Sequence, residues 1–189
     1  MACCPNHFDT LEVAAGDTLS TWSIKVTDHK GRPFDLAGVT VQIKINHEDG
    51  TPILEPTEDG LTVLPGRPFV FSGDRLVDYC HEVTSNDQIT LSSDGQLPEG
   101  FDATTRYFPI DVRTNDFRLT TNARPIAPGQ GGSGNHSYHV VGSVEYQPRL
   151  EDVETSGYYW VWLILSQNGK TKHIPQDGRV LRYHVVEAQ

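Results

Sequence analysis

The 189-residue sequence predicts an all-β protein, an antiparallel β-sandwich interrupted by an inserted small β domain. Period-two alternation of apolar and polar residues is common along the chain, and helical periodicity is hard to find. Turn signals recur at short intervals between the alternating runs. From about Pro68 to His136 the texture changes, with separate strand candidates that end in a Gly-, Pro- and Ser-rich run. The predicted boundaries are 9–67 for the first half of the sandwich, 68–136 for the insertion and 137–189 for the second half.

The elements follow in order. In "STWSIKVTD", Trp22, Ile24 and Val26 point one way and Thr21, Ser23 and Lys25 the other. "DHKG" reads as a turn ending at Gly31, and "GRPFDLAG" as an extended linker in which Pro33 removes a backbone donor. "VTVQIKIN" alternates again, with Val39, Val41, Ile43 and Ile45 inward. A hairpin turn through Asp49-Gly50 leads into "TPILEP". The insertion offers "FVFS", "DQITLSS", "TRYFPIDV" and "NDFRLTT" as strands. It closes with "ARPIAPGQGGSGNH", whose composition reads as a flexible loop, notably from Ala127 to Gly134. "SYHVVGSVEYQP" resumes strand signals. "YYWVWLILS", a turn at Asn168-Gly169, "TKHIP", a "DG" turn and "RVLRYHVVE" complete the chain.

Charge and composition narrow the function. Lys+Arg 15 against Asp+Glu 25 leaves a net charge of −10. A protein that tracks nucleic-acid phosphates needs a basic face, so no nucleic-acid partner is expected. "MACCPNHFDT" lacks the basic and apolar segments of a signal peptide, and no run suits a membrane span, so no membrane partner is expected either. Cys3, Cys4 and Cys80 form no disulfide framework. With His7 and His81 they could meet around a metal, but the spacing matches no zinc pattern, and reduced thiols are the expectation.

The flanking halves, "GDTLSTWSIKVTDHKGRPFDLAGVTVQIKINHEDGTPIL" and "GSVEYQPRLEDVETSGYYWVWLILSQNGKTKHIPQDGRVLRYHVVE", resemble a known family. They are similar to the N-terminal immunoglobulin-like domain of the phage baseplate upper protein family, over Leu11 to Leu54 and Val141 to Glu187. The middle, "DQITLSSDGQLPEGFDATTRYFPIDVRTNDFRLTT", resembles a short β module inserted in many phage tail and virion proteins. Matching residues there include Ile89, Thr90 and Leu91, then Leu97, Pro98 and Gly100, and later Asn115, Phe117 and Leu119. The resemblance implies an immunoglobulin-like sandwich and a place in a virion assembled in the host cytoplasm. Baseplate members commonly continue into a fibre-bearing or receptor-binding region. With the sequence ending at Gln189, the expectation is a compact adaptor or decoration role.

No reacting constellation stands out. The sequence shows no nucleophile elbow, phosphate-binding glycine loop or paired-histidine metal motif, so no enzyme, cofactor or metal is expected. The eight histidines are scattered. Glu151, Asp152 and Glu154 could bind calcium at a loop. The favoured reading has Asp152 hydrogen-bonding backbone amides at the turn before the aromatic strand.

The strongest functional signal is "GYYWVWLI". Alternation puts Tyr159, Val161 and Leu163 on one face and Tyr158, Trp160, Trp162 and Ile164 on the other. The family resemblance makes Tyr159 the core tyrosine, which leaves Tyr158, Trp160 and Trp162 outside as candidate protein-interface residues. The insertion, a neighbouring subunit or a sugar could cover that stripe. The expected function is a non-enzymatic structural protein of a tailed-phage virion, a tail or baseplate adaptor docked on a symmetric ring. Its expected partners are other virion proteins and further copies of itself. The alternatives are a head or neck decoration protein and a host-surface carbohydrate-binding module.

Overall fold

The computed structural model describes residues 10–28, 30–79, 81–122, 124–174 and 181–187. The strands in chain order begin with β1 (Thr10–Ala14), β2 (Trp22–Lys25), β3 (Thr40–His47), β4 (Pro52–Thr57) and β5 (Leu61–Val63). Next come β6 (Gly66–Ser72), β7 (Arg75–Val77), β8 (Ile89–Ser93), β9 (Phe108–Ile110), β10 (Asp116–Thr120) and β11 (His136–Val140). β12 (Ser143–Tyr146), a one-turn α1 (Leu150–Val153), β13 (Gly157–Gln167), β14 (Lys170–Ile174) and β15 (Leu181–Val186) complete the series. The fold is all-β, and its strands divide between two compact units.

The first unit, a sandwich, takes its described residues from 10–26, 36–63 and 144–187. Its large sheet runs β1-β15-β13-β3-β4, with β14 also on β13, and its small sheet runs β2-β12-β5. The described pairs are antiparallel except β1 on β15, which is parallel. The two sheets meet through aromatic rings. Trp22 of the small sheet lies 4.4 Å from Tyr183 of the large one and 5.4 Å from Tyr146 beside it. Tyr159 stacks on Tyr183 at 4.6 Å, and Ile43, Ile45, Leu163 and Val185 fill the space around them. Asn168 and Gly169 both take positive φ, 51° and 74°, as the turn between β13 and β14 requires.

The second unit comprises 27–35 and 64–143. Its sheet runs β8-β11-β6-β7-β10-β9, and the edges meet. Ile89 and Tyr107 exchange backbone hydrogen bonds of 2.8 Å each, which closes the sheet into a small barrel. The barrel is filled by Leu76, Ile89, Leu91, Tyr107, Phe117, Leu119 and Tyr138. His139 pins its outer surface. One ring nitrogen lies 2.8 Å from Ser92 Oγ and the other 2.9 Å from the carbonyl of Leu64, itself at a positive φ of 52°. Gly66, opposite His139 in the register, leaves room for the imidazole: an added Cβ would come within 3.0 Å of it.

Several sequence expectations are corrected here. The inserted unit extends beyond 68–136, because β11 is paired on both sides within the barrel, by β8 and β6. The stretch around "DHKG" joins the barrel too, where Asp35 pairs with Arg106. The expected flexible loop is a packed one. Gln96 and Ser133 exchange backbone hydrogen bonds of 2.9 and 2.8 Å, and the Gly129 N–H donates to the Glu99 carbonyl at 2.8 Å. The glycines there permit close approach: a Cβ on Gly95 would sit 2.3 Å from the Ser133 oxygen.

Candidate protein interface

β13 is the central strand of the large sheet, paired along its length by β3, and by β15 and β14 in succession. Both its edges are therefore paired, and alternation decides what each face carries. Tyr159, Val161 and Leu163 are buried in the sandwich core. On the opposite face, Tyr158 is 47% exposed, Trp160 and Trp162 are half-buried and Ile164 is buried.

The three candidate rings lie on one side of the sheet and are held there by cross-strand neighbours. Tyr158 stacks on His184 of β15 at 4.2 Å and 7°. Trp160 and Trp162 meet edge to face at 6.0 Å and 76°. Trp160 is opposite Arg182 on one side and Asn46 on the other, and Trp162 is opposite Lys44. Trp, Tyr and Arg together match the composition of interface hot spots. Covering the part of each ring that water still reaches contributes on the order of 1 kcal/mol.

One buried carboxylate joins α1 to β12, the strand before it. The Asp152 side chain is fully buried, and its Oδ2 accepts from the Tyr146 hydroxyl at 2.5 Å and from the Arg149 backbone N–H at 2.7 Å. Its backbone carbonyl accepts from the Tyr183 hydroxyl at 2.7 Å. Burial, with the Asp152 charge adding to it, raises both tyrosine pKa values and keeps their hydroxyls protonated as donors. Asp152 thus bonds a backbone amide, as the sequence suggests. Glu151 turns instead to the Arg149 guanidinium, at 3.0 Å.

The remaining sequence candidates are scattered. Among the described residues no group of three or more His, Cys, Asp or Glu is placed to hold a metal ion. Cys3, Cys4, His7, His29, Cys80 and the "PQDG" turn lie outside the described residues. His81 is buried against Phe117 in the barrel. The nearest approach to a nucleophile–base pair is Ser92 with His139. The second nitrogen of His139 faces a backbone carbonyl, so no carboxylate completes a triad there. No helix among the described residues is long and apolar enough to cross a membrane.

No family model, curated protein or solved structure matches this chain. Its function is therefore argued from its own residues. Sequence reasoning missed one surface feature, a groove on the barrel assembled from residues 68–79, 98 and 131–136. No single stretch of sequence carries its pattern.

Proposed function

We propose that this chain is a non-enzymatic structural protein of a tailed-phage virion, a tail or baseplate adaptor that docks on a symmetric ring through the outer face of β13. The observation that carries the proposal is the row Tyr158, Trp160 and Trp162 at the surface of the central strand, flanked by Lys44 and Arg182. A sheet face of this kind is a strong driving force for association and a hazard when left open. The two-part resemblance to phage baseplate and virion modules supports placing the partner in a virion. Repetition around a symmetry axis is the usual arrangement of such parts.

Purified tailed particles test the proposal. Particles made with the natural chain should contain it in fixed stoichiometry, and immunogold should label the tail end. Particles made with the Trp160→Ala/Trp162→Ala double variant should lack it, although the isolated variant folds. Labelling at the head or neck would favour a decoration role. Absence of the natural chain from particles would refute a virion role altogether.

A further inference from the structure

We propose that the barrel unit carries a second binding site, a groove for a neutral saccharide. It lies wholly within 64–143, so it stands or falls apart from the adaptor role of the sandwich. The groove, open to solvent, spans about 680 Å³ beside β6 and the end of β7. Small-molecule sites span roughly 300–1,000 Å³.

The groove is built before any ligand arrives. Its wall is the glycine run 131–134, fixed by close packing on the opposing segment. A Cβ on Gly132 would come within 2.9 Å of Pro98, and one on Gly134 within 2.1 Å of the Asp94 carboxylate. Its rings are also placed. Phe71 is stacked on Phe101 at 5.1 Å and set edge-on to Phe69 at 5.1 Å. Tyr79 lines the groove 74% exposed, an uncovered ring.

The polar groups are oriented by neighbours and retain bonding capacity. Asp78 Oδ2 accepts from Arg67 Nε at 2.9 Å and from the Tyr138 hydroxyl at 2.7 Å, and its Oδ1 accepts from Arg67 Nη2 at 3.5 Å. A carboxylate has about four lone-pair sites, so Oδ1 can accept one further hydroxyl. Asn135 donates its Nδ2 to Asp94 at 2.9 Å, which leaves its Oδ1 as an acceptor. His136 Nδ1 lies 3.0 Å from Ser93 Oγ, which leaves Nε2 for a ligand.

This mixture selects among ligands. An acyl chain would leave the remaining capacity of the carboxylate, amide and imidazole unused. An anion would meet Asp78 on a chain of net charge −10. A neutral pyranose suits both halves: its C–H face packs on Tyr79 and Phe71, and its hydroxyls pair with Asp78, Asn135 and His136.

The test is binding of the intact chain to an array of neutral and anionic glycans, followed by titration of any hit. Neutral glycans should bind, and Tyr79→Ala should weaken binding about tenfold or more. Tyr79 is mostly exposed, so that variant should keep the melting temperature of the natural chain. Gly132→Ala, which pushes the wall off Pro98, should also weaken binding. Trp160→Ala/Trp162→Ala should leave it unchanged. Failure of neutral glycans to bind at millimolar concentration would overturn the proposal, as would binding of anionic glycans alone. Full affinity in Tyr79→Ala would also overturn it.

Discussion

Asp152→Ala probes how the sandwich unit anchors α1 to β12. The natural carboxylate is fully buried and accepts from the Tyr146 hydroxyl and the Arg149 N–H, with the Arg149 guanidinium 3.6 Å away. Hydrogen bonds to a charged partner contribute about 1.5–3 kcal/mol each. Alanine removes both and strands the Tyr146 hydroxyl in the core. Arg149 is partly exposed and returns to water, which lowers the cost. The expected loss is about 3–5 kcal/mol, a large share of the roughly 5–15 kcal/mol that stabilises a domain. Asp152→Asn keeps the shape and one acceptor, and should cost less. The assay is urea unfolding followed by tryptophan fluorescence. Trp22, Trp160 and Trp162 all belong to the sandwich unit, so the signal reports that unit alone. A loss under about 1 kcal/mol would refute the assignment of the Asp152 carboxylate as the tie between α1 and Tyr146.

Further outcomes follow from the same geometry. Gly134→Ala forces a Cβ against Asp94 at a φ of 81°, and should destabilise the barrel by about 1–3 kcal/mol, read as a fall in its melting temperature by circular dichroism. An unconstrained loop would tolerate the change. Burial lowers the pKa of His81 below its ordinary 6.5, so the unfolded chain binds more protons than the folded one just below that pH. Barrel stability should therefore fall as pH drops below about 6.5, and His81→Asn should flatten that slope. Asp102 is held at about 2 by the hydroxyls of Thr105 and Thr104, so its contribution should be lost only between pH 3.8 and that value. Asn168→Val should weaken the β13–β14 hairpin by about 1–2 kcal/mol, because a β-branched residue resists a φ of 51°.

The sandwich was legible in the sequence where alternation ran long enough to assign faces. Trp22 and Val26, then Val41, Ile43 and Ile45, and Tyr159, Val161 and Leu163 are buried as their period-two pattern requires. Short elements left no period to read: β5 and β7 have three residues each and α1 has four. β11 alternates cleanly, but alternation names no partner strand, and its partners proved to be β8 and β6. The glycine run was the largest misreading. Its composition suits flexibility and close packing equally, and only the position of Ser133 over Gly95 separates the two. The stripe on β13 could be found from one segment. The barrel groove could not, because its rings and polar groups come from segments far apart in the chain.

The central claim is that a partner covers the outer face of β13 in an assembled particle. Hydroxyl-radical footprinting tests it without a mutation. Tyr158, Trp160 and Trp162 should be oxidised in the isolated chain and protected in the particle, while buried Trp22 stays unreactive in both and serves as a control. Equal oxidation of Tyr158, Trp160 and Trp162 in the isolated and assembled states would contradict the account.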